Sequence, residues 1–427
     1  MEGHPVMSRA PRSRRLAVST AVPATAVAGL LIGASTWPNA AAADPVRWQA
    51  SWGAAPQMPS TGFTPNWSQA GFSHQTVRQV VRISEGGDRL RIRLSNAYGT
   101  SPVEISGATV ARTAEGASVV PGTVRPLTFG GHRSAAIPAH GDLRSDAAGL
   151  AADDLTSVTV TLYLAGTTGP ATFHAQGFAT SYLADGDHRA DASGAAFAET
   201  SQSWYYLSGV EVGRDRRDRH GGDGIVALGD SLTDGFGSTP GADNRYPDEL
   251  AELTGRPVVN SGIGGNLVLN DSAWYGERGT ARFARDVLDQ PGVSTVVLLE
   301  GVNDIGFSEV EDQPTYRPAP EISADELIAG YRTLIRRAHQ VGLEIVGATL
   351  PPFQGSDHWG PHAARVGDEV NDWIRNSGEF DAVVDLDRVL ADPADPDRLN
   401  PAYDSSDGLH PNDAGYRLTA EAVAAVL

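Results

Sequence analysis

The second part of the chain, residues 224–427, alternates short apolar runs with longer amphipathic segments. The apolar runs lie at residues 225–228, 257–259, 295–299, 344–350 and 382–386. The clearest helical pattern between them starts at Ser323, where Glu326 completes a capping box. Strands that alternate with helices predict a parallel, doubly wound sheet. Sheets of this kind hold their functional sites just beyond the carboxyl ends of the strands.

Polar clusters follow four of these five runs. They read GDS at 229–231, NSGIGGN at 260–266, GVND at 301–304 and DGLHP at 407–411. Each cluster alone is typical of a turn or a helix cap. Because the carboxyl ends of parallel strands meet at one edge of the sheet, we expect the four clusters to lie together there.

The residue types in these clusters suit acyl transfer. A serine such as Ser231 becomes a nucleophile only when a neighbouring base takes its proton. His410 can be that base, and Asp407 can fix its tautomer and stabilise the imidazolium. A tetrahedral oxyanion needs fixed hydrogen-bond donors. Gly265 can offer its backbone N–H, Asn303 its carboxamide N–H, and Ser231 its own backbone N–H.

The four clusters together resemble the blocks of the SGNH (GDSL-type) hydrolases. GDSL stands at 229–232, and the other three blocks are complete and in order, so the resemblance covers roughly residues 224–427. It implies a flavodoxin-like three-layer α/β domain that hydrolyses carboxylic esters without a metal or other cofactor.

The resemblance also implies a role for five residues. Ser231 is the expected nucleophile, His410 the base and Asp407 the acid that orients it. Gly265 and Asn303 are the expected oxyanion donors, together with the backbone of Ser231. The assignment to Gly265 rests on its place just before the asparagine that ends the second block. The remaining histidines are interpreted as surface or structural groups.

The first part of the chain has a different texture. Residues 89–94 alternate basic and apolar side chains, as a strand with one wet face does, and turn signals separate many such runs. We therefore predict an all-β sandwich, jelly-roll-like, over residues 44–212. It resembles the accessory domain of some secreted bacterial SGNH members. The mixed-charge stretch 213–223 is predicted as a linker, and 224–427 as the catalytic domain.

Residues 1–43 have the pattern of an export signal. Four arginines precede a weakly apolar run at 16–32, and small residues at 41–43 offer a cleavage site. We therefore expect a secreted protein without stable membrane insertion once the signal is removed. The chain contains no cysteine, which excludes disulfides, thiolate metal sites and a cysteine nucleophile.

Charge narrows the expected partners further. The formal net charge of −19 argues against nucleic acid or an anionic membrane surface as a partner. The expected partner is a small-molecule or polysaccharide ester, and the protein is expected to be a monomer. Short acyl or acetyl esters are favoured, with Trp274, Tyr275 and Phe307 as candidates for the acyl pocket.

Two alternatives remain open at this point. The first is a metal-dependent phosphoesterase, because several side chains of the clusters are hard-metal ligands: Asp230, Asp234, Asn303, Asp304, Asp407 and His410. The second is a carbohydrate-binding protein in which the β-sandwich is the binding module. Its candidate contacts are the aromatic side chains of Trp204, Tyr205 and Tyr206, if they are exposed.

Overall fold

The computed structural model describes residues 46–215, 222–310 and 313–427. The predicted export signal, residues 1–43, lies outside the described residues, as does 216–221 of the predicted linker. Residues 213–215 of that linker instead belong to a strand. We call residues 46–215 the β-region and residues 222–427 the α/β-region.

The β-region consists of strands joined by turns. Its strands are β1 (Val46–Gly53), β2 (Gln75–Arg82), β3 (Gly87–Ser95), β4 (Val103–Ile105), β5 (Gly107–Arg112), β6 (Arg125–Pro126), β7 (Ala135–Ile137), β8 (Asp142–Arg144), β9 (Ala148–Ala152), β10 (Ser157–Leu164), β11 (Phe173–His174), β12 (Ser181–Asp185), β13 (Glu199–Ser201), β14 (Trp204–Tyr205) and β15 (Leu207–Asp215).

Two antiparallel sheets dominate this region. One has the order β1-β15-β3-β8, with β9 also pairing with β3, and the other has the order β13-β12-β2-β10-β5-β6. One hydrophobic cluster contains Ile92 of the first sheet and Val77 and Val160 of the second, all fully buried. The prediction of an all-β region is confirmed, and its two sheets share one core.

The aromatic side chains proposed for carbohydrate binding are part of that core. Trp204, Tyr205 and Tyr206 are at most 2% exposed. The ring of Trp204 meets that of Trp52 edge-on at 4.8 Å, and Tyr205 stacks on Trp67 at 5.1 Å. The carbohydrate-binding alternative required these side chains to be exposed, and this condition is not met.

The α/β-region follows without a further β-sandwich element. Its elements are β16 (Gly224–Gly229), α1 (Ser231–Asp234), α2 (Tyr246–Thr254), β17 (Val258–Gly262), α3 (Gly279–Phe283, continued by a π-helical turn Ala284–Leu288), β18 (Val293–Leu299), α4 (Val302–Gly306, followed by a 3₁₀ turn Phe307–Glu309), α5 (Ala324–Gln340), β19 (Glu344–Ala348), α6 (Pro361–Asn376), β20 (Ala382–Val384), α7 (Leu386–Val389), β21 (Ala391–Asp392), β22 (Asp395–Leu399) and α8 (Asp413–Ala424).

The central sheet of this region is parallel throughout. Its order is β17-β16-β18-β19-β20, so the first strand of the region lies between the second and the third. This is the flavodoxin-like order, in which the strand order reverses between β16 and β18. The predicted fold class is confirmed. Every residue of β16 is buried, as expected for a strand covered by helices on both faces.

Helices cover the sheet in two packed groups. Helix α2 packs on α8, and α5 packs on α6. Helix α5 begins after Ser323, whose hydroxyl accepts from the Glu326 N–H while the Glu326 carboxylate accepts from the Ser323 N–H. No helix among the described residues has the length and hydrophobicity that a bilayer-spanning segment needs.

From Val46 onward the described chain forms one compact unit. The N–H of Ala50 in β1 donates to the carbonyl of Pro291 at 2.8 Å, and Ala50 is buried in the core of the α/β-region. A Cβ atom at Gly53 would lie 2.6 Å from Cγ1 of Val259 in β17. Strand β1 therefore packs so closely on β17 that the contact requires glycine.

A buried arginine ties the carboxyl ends of the central strands together. The Arg282 side chain is fully buried and donates to the carbonyls of Gly229, at 2.8 Å, and Ser261, at 2.6 Å. It also pairs with Asp286 at 3.3 Å and with Glu300 at 3.5 Å. These contacts join β16, β17 and the residue after β18 around one planar group with a fixed fork of donors.

We predict that Arg282→Lys strongly destabilises the protein. Lysine keeps the charge but cannot reach the same acceptors, which leaves Asp286 and Glu300 buried without full compensation. The expected loss is about 3–5 kcal/mol in the free energy of unfolding, measured by urea denaturation followed by circular dichroism. The matched control is Arg365→Lys in the exposed pair with Glu369, which should cost less than about 1 kcal/mol. Equal effects of the two substitutions would contradict the bridging role of Arg282.

Candidate active site

Three predicted residues form a continuous hydrogen-bonded chain at the carboxyl edge of the parallel sheet. Ser231 Oγ lies 2.7 Å from His410 Nε2. His410 Nδ1 lies 2.6 Å from Asp407 Oδ2. Ser231 follows β16 directly, while Asp407 and His410 lie in the loop before α8. The fold thus joins groups that are far apart in sequence.

The surroundings of Asp407 determine the tautomer of His410. Its other oxygen, Oδ1, accepts from the backbone N–H groups of Leu409, at 3.0 Å, and His410, at 2.8 Å. Burial opposes ionisation, but the hydrogen bonds from His410 outweigh it and lower the pKa of Asp407 to about 2. An ionised carboxylate only accepts, so Nδ1 carries the proton. In the neutral ring, Nε2 then presents its lone pair to Ser231.

The turn that carries Ser231 is fixed from both sides. Asp230 caps the short helix α1 by accepting from the Leu232 N–H at 3.0 Å. Gly235 ends it with a φ of 105°, and a Cβ atom there would lie 2.2 Å from Cγ of Arg245. The turn therefore holds the hydroxyl of Ser231, whose residue is 6% exposed, at the mouth of a cleft.

Two backbone donors at this cleft are unused. Within the described chain, no hydrogen bond is made by the N–H of Ser231 or of Gly265. Gly265 has a φ of 74°, and a Cβ atom there would lie 2.5 Å from ring carbons of Tyr275. Both conditions require glycine at this position. The free N–H groups are of the kind that an oxyanion needs.

Asn303 is held by partners on both atoms of its carboxamide. Its Nδ2 donates to the Asn266 carbonyl at 2.9 Å, so the oxygen must face the other way. Oδ1 accepts from Nε2 of His358 at 2.9 Å, and Nδ1 of His358 lies 2.5 Å from Asp357 Oδ1. The second N–H of Asn303 is left for the cleft, whose wall it forms.

A third histidine joins the β-region to the same loops. His174 is 3% exposed, and its Nδ1 donates to the Ala55 carbonyl at 2.9 Å. Its Nε2 lies 3.0 Å from Asp234 Oδ1, and Asp234 Oδ2 accepts from the Gly264 N–H at 2.9 Å. Burial alone would lower the pKa of His174, but Asp234 and the Ala55 carbonyl outweigh it and raise that pKa.

The consequence is that the β-region fixes the loop that holds Gly265. Asp234 lies in α1, three residues after Ser231, and Gly264 immediately precedes the predicted oxyanion donor. The Asp234 carboxylate therefore fixes the distance between the predicted nucleophile and the predicted donor. His174 from the β-region fixes the position of that carboxylate.

These groups surround a cleft of about 230 Å³. One wall is aromatic, formed by Tyr275, Phe307 and Tyr316, with the last two rings stacked at 4.1 Å. Phe236 lies over His410 at 4.5 Å between ring centroids. Tyr275 and Phe307 thus line the cleft as predicted for the acyl pocket, while Trp274 packs behind them.

The carboxylates considered as metal ligands instead accept hydrogen bonds from backbone N–H groups. Asp304 accepts from the N–H groups of Val268, at 2.8 Å, and Leu269, at 3.0 Å, and burial raises its pKa to about 7. Burial likewise raises the pKa of Asp230 well above its ordinary range. Among the described residues, no group of three or more His, Asp or Glu side chains converges as ligands would. Asp230, Asp234 and Asp304 are structural in this geometry.

His174 and His358 contact the site, although neither was among the residues predicted to form it. A signal existed for His358, because it follows the fourth strand, β19, and so belongs to the same sheet edge as the other clusters. No signal existed for His174, since nothing in the sequence connects β11 with the loop after β16.

Comparison with known proteins bears on the α/β-region. Residues 227–418 match the model of the GDSL-like Lipase/Acylhydrolase family. A GDSL-like lipase from Bacteroides thetaiotaomicron VPI-5482 is 16% identical, with a TM-score of 0.36, over 47% of this chain and 86% of that one. A catalytic mutant of an acetylxylan esterase from Geobacillus stearothermophilus is 24% identical, with a TM-score of 0.36, over 48% and 93%. No curated protein matches the chain significantly.

We predict that Asn303 and His358 act as one unit. Asn303→Ala should lower kcat for a para-nitrophenyl ester by about 10²-fold or more, because it removes a donor from the oxyanion. His358→Ala should lower kcat by about tenfold, because the carboxamide loses its orientation, and the double variant should be no slower than Asn303→Ala alone.

The control is His362→Ala, which removes a histidine bonded only to the Ile322 carbonyl and the Arg365 side chain. It should change kcat by less than about twofold, as surface substitutions do. A loss below about tenfold in Asn303→Ala would show that this residue only supports the loop of Asn266 and is not an oxyanion donor.

Proposed function

We propose that the protein works through Ser231, His410 and Asp407 as a catalytic triad. Its residues 227–418 match the model of the GDSL-like lipase/acylhydrolase family, and the protein is a serine esterase. Ser231 is the nucleophile, His410 the general base and Asp407 its orienting acid. The backbone N–H groups of Ser231 and Gly265 and the carboxamide of Asn303 form the oxyanion hole.

The proposed reaction follows from the positions of these groups. Ser231 Oγ attacks the ester carbonyl carbon while His410 Nε2 takes the hydroxyl proton. The carbonyl oxygen becomes an oxyanion and accepts from the donors of Ser231, Gly265 and Asn303. The intermediate then expels the alcohol, which receives the proton from His410. Water repeats the sequence on the acyl-enzyme, releases the acid and restores Ser231.

The single observation that carries this proposal is the unbroken contact chain from Asp407 to Ser231. Its links of 2.6 and 2.7 Å end beside two backbone N–H groups that have no partner in the described chain. A structural turn would not need an oriented imidazole or unused donors at the same point. A nucleophile with its base and its oxyanion hole needs both.

The cleft supports a short acyl group. Its volume of about 230 Å³ is smaller than the range of roughly 300–1,000 Å³ that is typical of sites for drug-sized ligands. The stacked rings of Phe307 and Tyr316 and the ring of Tyr275 give it an apolar wall. We therefore propose acetyl and other short acyl esters as substrates.

The proposal includes export from the cell. It is supported by the basic, apolar and small-residue pattern of residues 1–43. An exported protein without disulfides depends on its packed core, and both regions have one.

We predict that Ser231→Ala lowers the turnover of para-nitrophenyl acetate by at least about 10³-fold while the folded state is retained. Wild-type activity in excess EDTA should stay within about twofold of the untreated value, since the proposed chemistry needs no metal. Retained activity in Ser231→Ala, together with loss in EDTA, would support the metal-dependent phosphoesterase instead.

We predict that kcat/KM falls with acyl length. In a series of para-nitrophenyl esters from acetate through butyrate and octanoate to palmitate, the value should fall by at least about tenfold between butyrate and palmitate, because a cleft of about 230 Å³ has no room for the longer chain, which then clashes with its wall. Phe307→Ala removes a ring from the apolar wall and so enlarges the cleft, which should move the optimum to longer chains. An optimum at laurate or palmitate in the wild type would contradict the proposed short-acyl pocket.

A further inference from the structure

A second depression lies beside the catalytic cleft, on the β-region. It has a volume of about 380 Å³, within the range of ligand-binding sites. We call it the β-side groove. The residues of its lining used here are Phe63, Gln176, Phe178, Thr180, Thr200 and Gln202.

The groove adjoins the catalytic cleft. Phe63 and Gln176 line both of them. The Gln176 carboxamide lies directly against Gly264, because a Cβ atom there would be 1.8 Å from its Oε1. A ligand bound at Ser231 can therefore extend past Gln176 onto the β-region.

Gln176 is buried without a protein partner. The residue is 7% exposed, yet no hydrogen bond is made by its carboxamide within the described chain. Its position is fixed, since the Ala175 N–H donates to Gln57 Oε1 at 2.8 Å and the Gly177 N–H donates to the Gln202 carbonyl at 2.7 Å. Its amide atoms are not fully enclosed, and the residue lines both the groove and the cleft, so the carboxamide is free to bond to a ligand or to water.

The lining of the groove has a distinct chemistry. None of the described residues that line it carries a charge, although the chain as a whole has a formal charge of −19. The lining combines the rings of Phe63 and Phe178 with hydroxyl and amide groups, which come from Thr180, Thr200, Gln176 and Gln202. Phe63 is 40% exposed.

The backbone at the two aromatic positions is strained. Phe63 has a φ of 57° and Phe178 a φ of 48°, values that bulky residues adopt rarely. Strain of this kind persists where the surrounding structure fixes it, and it clusters at binding sites. Here it presents two rings at the edge of a neutral, hydrogen-bonding surface.

From these observations we infer that the β-side groove binds the alcohol part of the ester, and that this alcohol is a neutral carbohydrate. Amides and hydroxyls can exchange hydrogen bonds with sugar hydroxyls, and exposed rings can cover the apolar faces of sugar rings. The aromatic wall at Tyr275 and Phe307 suits the acyl group, so the polar groove is left for the leaving group. This inference rests on the proposed esterase function.

The experiment compares acetylated saccharides with simple acetyl esters. We would measure kcat/KM for acetylated trisaccharides of xylose, glucose and mannose, for para-nitrophenyl acetate and for ethyl acetate, in the wild type and in Gln176→Ala and Gln202→Ala. For the preferred saccharide, we divide its kcat/KM by that of para-nitrophenyl acetate. This ratio should fall by at least about tenfold in Gln176→Ala, because a site built to bind hydroxyls loses a partner. A smaller fall, of about threefold, is expected for the exposed Gln202.

The matched control is Gln75→Ala. Gln75 belongs to the same β-region and bonds to Asp185, but it lines neither the groove nor the cleft. Its ratio should equal that of the wild type. Melting temperatures of all variants, measured by differential scanning fluorimetry, separate a binding defect from loss of fold.

Two results would overturn the inference. One is a wild type that hydrolyses none of the three acetylated saccharides faster than ethyl acetate. The other is a ratio that stays the same in Gln176→Ala and in Gln75→Ala. Either result is compatible with full loss of para-nitrophenyl acetate turnover in Ser231→Ala, so failure of the groove is distinguishable from failure of the esterase proposal.

Discussion

The site depends above all on one buried cation. Arg282 holds the ends of three neighbouring strands by donating to the carbonyls of Gly229 and Ser261 and pairing with Glu300. The residue after Gly229 is the cap of the turn that presents Ser231. Because the guanidinium is planar and fully buried, it fixes the spacing of these strand ends more rigidly than apolar packing would. The proposed catalytic groups thus follow strands whose ends are bound to one side chain, and this support fixes their positions.

A second constraint comes from the β-region, which contributes to the site and does not merely precede it. His174 orients Asp234, and Asp234 holds both the turn after β16 and the loop after β17. Phe63 and Gln176 extend the cleft on the same side. The proposed nucleophile, base and donors all come from the α/β-region, whereas their spacing and the surface next to them depend partly on the other region.

The sequence predicted those features that repeat locally. Runs such as 225–228 are short and continuous because parallel strands are buried on both faces, and the clusters that follow them fall at one edge by the geometry of the fold. Contacts between regions leave no such pattern: neither the bond from His174 to Asp234 nor that from His358 to Asn303 has a fixed spacing. The sequence also left open whether Trp204 is exposed, since hydrophobicity does not show whether an aromatic ring is covered.

The bond between His174 and Asp234 has a consequence for how such a protein can evolve. Each partner is almost fully buried, so losing one leaves the other without compensation in a dry environment. A recombination event that exchanged the β-region for an unrelated one would leave the Asp234 carboxylate without its histidine partner, three residues from the proposed nucleophile. The two regions must therefore be inherited together, and among descendants of this chain the histidine and the aspartate should be retained or replaced as a pair.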